Sequence, residues 1–183
     1  RVTVPRDHQQ TLILSIEPFK PLSEAFIERG VRCITAPNSA RDNPAAKTTD
    51  WMHARKSLSD AMPEGIYDTI LLDANGNMME GLGANFYAIK DDMLFTAGEG
   101  VLGGIAQQIM FEIAPNILPV VKLPVNHADL EQVEEAFITS SSRGIVPIVE
   151  IDGFVLGDST PGTQTRALRE SYNRWVDANL EPL

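Results

Sequence analysis

The chain has 183 residues, of which 43% are hydrophobic and 22% charged, which suits one compact domain or one large domain with part of another. The formal net charge of -10 argues against nucleic acid or an anionic membrane as a general partner, and no apolar run approaches the roughly eighteen residues of a membrane span. The single cysteine, Cys33, permits no internal disulfide and the three histidines show no metal-ligand spacing, so we expect no metal and a reducing, cytoplasmic setting.

The first third of the chain is predicted to form short strands separated by polar turns and loops. The sequence opens at Arg1 without a methionine, in what resembles a strand already under way, so we expect the start of the protein to lie upstream. The apolar run 11–16 predicts a buried strand, and 22–30 predicts a turn or short helix. A second strand is predicted over 31–36, and a polar loop then leads to Lys47.

A helix followed by hairpins is predicted next. Apolar residues recur at helical spacing from Thr49, and Pro63 and Gly65 end this helix. The pair Asn75-Gly76 is a strong hairpin signal, so we expect an antiparallel meander around it. The strands predicted for the meander are 67–73, 78–89 and 93–96.

The last part of the chain mixes short strands with helices. A glycine-rich loop ends at Gly104, and Asn126 can cap a short helix that runs to Val133. The remaining elements are predicted strands over 120–124, 136–139 and 145–151, a polar loop over 140–144, and a terminal amphipathic helix marked by Leu168, Tyr172 and Trp175. Because the strands segregate into hairpins, the sequence predicts an α+β fold rather than a doubly wound parallel sheet.

Lys47 and Glu80 are the residue types that one kind of cofactor chemistry requires. A lysine amine can form a Schiff base with an aldehyde cofactor, and a carboxylate can keep a pyridine nitrogen protonated so that the ring accepts electrons. Taken alone, Lys47 is typical of a surface lysine and Glu80 of a turn carboxylate. The segments that follow them decide between these interpretations.

The glycine-rich loop before the helix at Ile105 is a candidate anion site. Backbone N–H groups at a helix start, supported by the helix dipole, bind anions, and Gly103 and Gly104 would let the backbone approach a phosphate. Ile105 and Ala106 would donate their N–H groups. Taken alone this signal is weak, and the spacing matches neither a Walker loop nor a dinucleotide fingerprint.

The polar segment 140–144 is a second candidate for binding an anion. Hydroxyl and N–H groups of Ser140, Ser141 and Ser142 could hold a phosphate or a substrate carboxylate. Taken alone, the segment is more typical of a solvated turn between strands. Arg143 could bind a carboxylate or could merely cover the edge of a sheet.

Together these segments resemble the class IV (fold type IV) enzymes that depend on pyridoxal 5'-phosphate (PLP). The family includes branched-chain aminotransferases, D-amino-acid aminotransferases, (R)-amine transaminases and aminodeoxychorismate lyases. The resemblance runs from about Leu12 to the C-terminus and is specific as a set. The matching segments, in order, are Lys47, Glu80-Gly-Leu-Gly-Ala-Asn85, Leu102-Gly-Gly-Ile105, 137–147 and Glu150-Ile-Asp-Gly153.

The resemblance implies roles for individual residues. Lys47 would be the Schiff-base lysine and the base that moves the substrate α-proton, and Glu80 would pair with the pyridine nitrogen. Leu102 would pack on a face of the ring. The implied phosphate and substrate contacts are Gly104, Ile105, Ala106 and Ser141 for the phosphate, and Ser142, Arg143 and Trp51 for the substrate.

The resemblance also implies an architecture. The family fold is a small N-terminal α/β domain and a larger pseudo-barrel domain with the cofactor between them, assembled as dimers or larger oligomers. We therefore assign residues 1–10 to a remnant of the small domain and the interdomain segment, and 11–183 to the large PLP-binding domain. The small domain would be largely missing, and we expect a homodimer.

Four departures from the family pattern accompany this resemblance. The further N-terminal domain, which supplies a phosphate-binding arginine and much of the substrate pocket, has no counterpart here. Asp50-Trp51 stands where the family often has Asn-Tyr, and 104–107 reads Gly-Ile-Ala-Gln in place of Gly-Ile-Thr-Arg. Arg6-Asp-His8 resembles the Arg-x-His pair of the D-amino-acid enzymes, with shorter surrounding spacing, and is otherwise a polar turn.

We interpret the chain as part of a PLP-dependent aminotransferase acting on an amino acid or amine and a 2-oxo acid. The segment 80–85 favours branched-chain and amine transaminases, whereas 139–144 favours the lyases and D-amino-acid enzymes. Two alternatives remain at this point. One is a lyase that releases pyruvate from aminodeoxychorismate, and the other is a non-catalytic domain with the same fold.

Overall fold

The computed structural model describes residues 2–5, 7–8, 10–19, 21–41, 43–44 and 46–181. The strands are β1 (Val2–Thr3), β2 (Ile13–Leu14), β3 (Val31–Ala36), β4 (Asp68–Leu72), β5 (Met78–Gly81), β6 (Asn85–Lys90), β7 (Met93–Phe95), β8 (Val120–Val121), β9 (Glu135–Ser140), β10 (Gly144–Ile151) and β11 (Phe154–Val155). The helices are α1 (Glu24–Arg29), α2 (Thr49–Asp60), α3 (Ile105–Ile113) and α4 (Thr163–Ala178), with 3₁₀ turns at Ala114–Asn116 and His127–Gln132.

Six strands pair in a closed circuit, so the larger sheet forms a barrel. Antiparallel pairing joins β4 to β5, β5 to β6, β6 to β9 and β9 to β10. Parallel pairing of β10 with β3 and of β3 with β4 closes the ring. The mixture of hairpins and parallel pairs around one barrel confirms the predicted α+β class.

Two hydrophobic clusters hold the barrel together. One draws on alternate positions of all six ring strands, as expected for side chains that face the interior of a small barrel. Cys33 belongs to it and is fully buried, as predicted for a small apolar side chain, and this burial raises the pKa of its thiol. The second cluster packs the other face of β6, β9 and β10 against α3 and α4.

Most local predictions agree with the structure because short-range chemistry fixes them. Gly76 adopts a φ of 82°, which suits the hairpin that follows β4. The side chain of Asn126 accepts a hydrogen bond from the N–H of Ala128 and caps the following 3₁₀ turn. In the terminal helix α4, Leu168 and Tyr172 are buried one turn apart.

Three predicted strands were wrong in extent or burial, one of them being 120–124, where the strand is only Val120–Val121. The run 11–16 is not a buried strand: only Ile13–Leu14 is a strand, and both residues are exposed because their described partner is the two-residue β1. The return over 78–89 is two strands, because the chain turns between Gly81 and Asn85. Helix α2 forms as predicted, but none of its residues is buried against the described chain.

The first hairpin crosses the domain boundary predicted between residues 10 and 11. Val2 pairs with Leu14, and Thr3 pairs with Ile13. The division into 1–10 and 11–183 stays a prediction. Within the described residues, no helix is long and apolar enough to cross a membrane, and no group of three His, Cys, Asp or Glu side chains is placed to hold a metal.

Candidate functional site

The barrel brings Glu80 and Asn85 together at the β5–β6 hairpin. These two residues are direct partners in the antiparallel pairing, and Asn85 also pairs with Thr139 of β9. All three side chains are buried. The hairpin therefore places a carboxylate and an amide side by side, where strands from distant parts of the sequence meet.

Glu80 is a buried carboxylate, and only one of its two oxygens accepts a hydrogen bond from the described residues. Its Oε2 accepts a hydrogen bond from the backbone N–H of Leu102 at 3.2 Å, and its Oε1 lies 3.6 Å from Nη1 of Arg41. Among the described residues, Oε1 has no hydrogen-bond partner. Burial raises the pKa of Glu80, whereas the Leu102 N–H and the Arg41 guanidinium act in the opposite direction.

Arg41 connects Glu80 to the loop that carries Lys47. Its Nη2 donates a hydrogen bond to the carbonyl oxygen of Ala46, and its guanidinium carbon lies 5.0 Å from the centre of the Trp51 ring. The side chains of Arg41 and Glu80 are each only 5% exposed. Trp51, predicted as a substrate contact, therefore covers the guanidinium of this buried ion pair.

Lys47 lies between this anchored loop and the first turn of α2. The preceding residue, Ala46, is held by Arg41, and the following residue, Thr48, caps α2 by accepting a hydrogen bond from the N–H of Trp51 at 3.2 Å. The Lys47 side chain itself is exposed. Both neighbours of the predicted Schiff-base lysine are thus fixed by hydrogen bonds, and the lysine between them is exposed.

Gly104 is the residue that precedes α3, and its lack of a side chain is needed there. A Cβ at this position would lie 2.5 Å from Oδ1 of Asn85, whose amide donates to the carbonyl oxygen of Leu102 at 2.7 Å. The first N–H groups of α3, from Ile105 and Ala106, have no helical partners, as at every helix start. The loop thus combines a tight backbone with free donors, as the predicted anion site requires.

The turn between β9 and β10 is held by Arg143. Its side chain donates to Ser140 Oγ at 3.0 Å, to the Tyr67 hydroxyl at 3.2 Å and to the carbonyl oxygen of Gly83 at 3.3 Å. Ser141 and Ser142 at the tip of this turn are exposed. Because Arg143 contacts Gly83, the serine turn lies beside the turn that follows Glu80.

Asp68 fixes the turn after Glu80, a role that was not predicted from the sequence. Its Oδ1 accepts hydrogen bonds from the N–H groups of Thr69 and Leu82, and a Cβ at Gly81 would lie 3.1 Å from its Oδ2. Burial raises the pKa of Asp68, an effect that these N–H groups and Arg143 oppose. An acidic residue that begins an otherwise apolar strand was the signal available in the sequence.

The structure thus brings several of the predicted site residues into one region. The backbone N–H of Leu102 donates to Glu80, and the Leu102 carbonyl oxygen accepts from Asn85 and from the N–H of Gly104. Trp51 is linked to Glu80 through Arg41. The serine turn joins the region through Gly83. Arg6, which was compared with the Arg-x-His pair, lies outside the described residues, and its neighbour His8 is exposed.

Comparison with known proteins places this fold among branched-chain aminotransferases. The Thermoproteus uzoniensis branched-chain aminotransferase, solved with norvaline, superposes with a TM-score of 0.75 at 27% identity, covering 93% of this chain and 57% of that one. The T.th. branched-chain amino acid aminotransferase, solved with pyridoxamine 5'-phosphate, gives a TM-score of 0.78 at 24% identity over 90% of this chain and 56% of that one. These matches confirm the predicted fold type IV architecture.

The chain belongs to the class IV aminotransferase family. The family model described as "Amino-transferase class IV" matches residues 1–151. A Thermotoga maritima protein named "Probable branched-chain-amino-acid aminotransferase" is 31% identical over 174 residues, which are 89% of this chain and 61% of the relative. The chain spans 55% and 61% of the lengths of two such relatives, so it corresponds to a little over half of each.

Proposed function

We propose that the chain forms the cofactor-binding part of a PLP-dependent aminotransferase, which moves an amino group between an amino acid and a 2-oxo acid. The observation that carries the proposal is the buried Glu80 carboxylate, whose Oε1 has no hydrogen-bond partner among the described residues. A buried acceptor without a donor costs free energy. A protonated pyridine nitrogen is the donor that would satisfy it.

The residues present fit PLP at its other end as well. We assign the phosphate to the start of α3, where the N–H groups of Ile105 and Ala106 have no partners within the helix, with Ser141 Oγ as a further donor. Gly104 lets the backbone approach closely there. Leu102, half-buried beside Glu80, would pack on a face of the ring.

Lys47 supplies the reactive amine in this assignment. PLP contributes an aldehyde, which condenses with an amine with loss of water, and a ring that withdraws electrons from the substrate. Lys47 Nζ would bind the cofactor covalently between turnovers and would move the proton at the substrate Cα. Glu80 would hold the proton on the ring nitrogen, because a nearby carboxylate favours the cationic ring.

We assign the substrate carboxylate to the exposed tip of the serine turn, at Ser142. Arg143 donates to three protein acceptors, so we propose that it shapes this turn; its direct contact with the substrate stays a prediction. A substrate contact of Trp51 likewise stays a prediction, and its ring position over Arg41 supports a role in shielding the Glu80 pair from water.

Branched-chain amino acids are the substrate class that the comparisons favour. The similar proteins named above are branched-chain aminotransferases, and the segment 80–85 was assigned to the same side of the family. We further propose a homodimer in the cytoplasm, with residues 1–10 as a remnant of the small domain and 11–183 as the large domain. The single cysteine, which permits no internal disulfide, supports a reducing compartment.

The visible spectrum of the purified full-length protein tests this function. We expect an absorption band from PLP bound to lysine, which disappears on addition of one enantiomer of the amino acid, D or L, and returns with a 2-oxo acid. Such a cycle would give the half-reactions and the preferred enantiomer together. Turnover without any 2-oxo acid would instead identify a lyase.

Two lysine variants complete the test. Lys47→Ala should abolish the band and the activity, whereas Lys56→Ala should change neither, because Lys56 is an exposed residue whose ammonium pairs with Asp60 at 2.6 Å. Absence of the band in the wild-type protein after incubation with PLP would support a non-catalytic domain.

A further inference from the structure

Arg41 is a buried cation that the sequence pattern did not single out. It lies in the polar loop after β3, and its side chain is 5% exposed. Burying a guanidinium is costly unless anions and acceptors surround it. The residues that contact the Arg41 side chain therefore indicate its role.

The two terminal nitrogens and one face of the Arg41 guanidinium each contact a different residue near the proposed cofactor site. Nη1 lies 3.6 Å from Glu80 Oε1, and Nη2 donates to the carbonyl oxygen of Ala46 at 2.5 Å. The Trp51 ring covers the guanidinium at 5.0 Å, within the range of a cation–π interaction. A planar, always-charged group with several fixed donors can make these contacts together, which a lysine ammonium cannot do with the same geometry.

We propose that Arg41 is a positioning residue, which holds the loop carrying Lys47 in a fixed relation to the Glu80 carboxylate. This inference rests on the proposed function. Ala46 immediately precedes Lys47, so one guanidinium ties the predicted amine end of the cofactor site to its predicted ring-nitrogen end.

Loss of the Arg41 contacts should slow the covalent attachment of PLP to Lys47 more than it weakens the binding of PLP. The assigned phosphate donors at Ile105, Ala106 and Ser141 lie outside the Arg41 contacts and can still hold the cofactor when Arg41 is replaced. The amine of Lys47 would then no longer be held at a fixed position relative to the ring of the bound cofactor. Misplacement of a reacting group by about 1 Å can slow a reaction by roughly a hundredfold.

The test compares Arg41→Lys, Arg41→Gln and the control Arg174→Gln in the full-length protein. Arg174 is an exposed arginine of α4 whose side chain is 72% exposed, so its variant makes the same charge change away from the site. Each apoprotein is incubated with PLP. Total bound cofactor is measured after gel filtration, and the share attached to Lys47 is measured by borohydride trapping and peptide mass spectrometry over time.

We expect both Arg41 variants to attach bound cofactor to Lys47 at least about tenfold more slowly than wild type, per molecule bound. The control should match wild type. Arg41→Lys keeps the charge, so full rescue by it would overturn the bridging role. A wild-type rate in both variants would also overturn it, as would a parallel loss of binding and attachment at a constant ratio.

Failure of the proposed function gives a different result. In that case the wild-type protein and Arg174→Gln would themselves show no cofactor on Lys47, and both proposals would fall together. If Arg41→Gln does not fold, as a melting curve of its apoprotein would reveal, Arg41→Lys still decides the question because it leaves no buried carboxylate without a cation.

Discussion

Asp68 Oδ1 accepts a hydrogen bond from the backbone N–H of Leu82 over 3.0 Å, across fourteen residues of sequence. The same oxygen accepts the N–H of Thr69. The contact fixes the turn that follows Glu80, so the orientation of the candidate cofactor carboxylate depends on a second carboxylate outside the predicted site. This dependence makes Asp68 the most informative position for stability measurements.

Replacement of Asp68 should change how stability depends on pH. Burial raises the pKa of Asp68, so the folded protein holds this proton to a higher pH than the unfolded chain does. The wild type therefore loses unfolding free energy as the pH rises between the two values. Asp68→Asn keeps an oxygen acceptor for both N–H groups and does not titrate, so its stability relative to wild type should improve between about pH 4 and about pH 7.

Chemical denaturation of both proteins at the two pH values measures this effect. Asp158→Asn provides a control of opposite sign, because a hydrogen bond from Thr160 lowers the pKa of the fully exposed Asp158. A constant difference between Asp68→Asn and wild type across the pH range would contradict the assignment.

Glu80→Gln should impair catalysis more than cofactor binding. A neutral amide cannot hold a proton on the ring nitrogen, and we expect kcat for transamination to fall by roughly a hundredfold to a thousandfold. The affinity for PLP should change less, because the assigned phosphate contacts remain. Steady-state kinetics and cofactor titration measure the two effects. Glu170→Gln, at an exposed position of α4, should leave both unchanged.

Gly104 and the adjacent Gly103 offer a matched pair for the phosphate loop. An alanine Cβ at 104 would lie 2.5 Å from Asn85 Oδ1, whereas at 103 it would have no neighbour within 4 Å. Gly104→Ala should therefore displace Asn85 from Leu102 and lower the unfolding free energy by about 1–3 kcal/mol, with weaker PLP binding. Gly103→Ala should leave the unfolding free energy nearly unchanged. Equal losses of unfolding free energy in the two variants would argue against the tight loop geometry.

Ser141 and Ser142 should separate cofactor binding from substrate binding. Removing one hydroxyl contact costs about 0.5–1.5 kcal/mol, so Ser141→Ala should weaken PLP binding roughly threefold to tenfold. Ser142→Ala should raise KM for the amino acid by a similar factor and leave PLP affinity unchanged. Cofactor titrations and KM values for each variant measure this. Reversed effects would exchange the two assignments.

Elements defined by neighbouring residues could be predicted from the sequence. The hairpin at Asn75-Gly76 and the cap at Asn126 follow from the backbone preferences and side-chain hydrogen bonds of a few residues. Helix α4 follows from its apolar stripe. Closure of the barrel could not be predicted in this way, because it requires β9 to pair with both β6 and β10, which hydrogen-bonding rules alone do not specify.

In the candidate site, too, residues within recognisable sequence segments could be predicted, whereas residues that act through contacts distant in sequence could not. Lys47, Glu80 and the glycine-rich loop could be proposed as site candidates because their segments match a family pattern. Arg41 and Asp68 were missed because their roles exist only after folding. Arg41, in the loop after β3, contacts Glu80 of β5, and Asp68 contacts Leu82 across the hairpin of β4 and β5. The exposed Ile13 shows the converse, since an apolar run predicts burial only where a partner surface is present.

The site of covalent cofactor attachment tests the central claim most directly. The purified full-length protein, loaded with PLP, is reduced with borohydride, digested and analysed by mass spectrometry. We predict a phosphopyridoxyl group on the peptide that contains Lys47, and its disappearance when an amino acid is added before reduction. A label on another lysine such as Lys56 or Lys90, or no label at all, would contradict the assignment of Lys47.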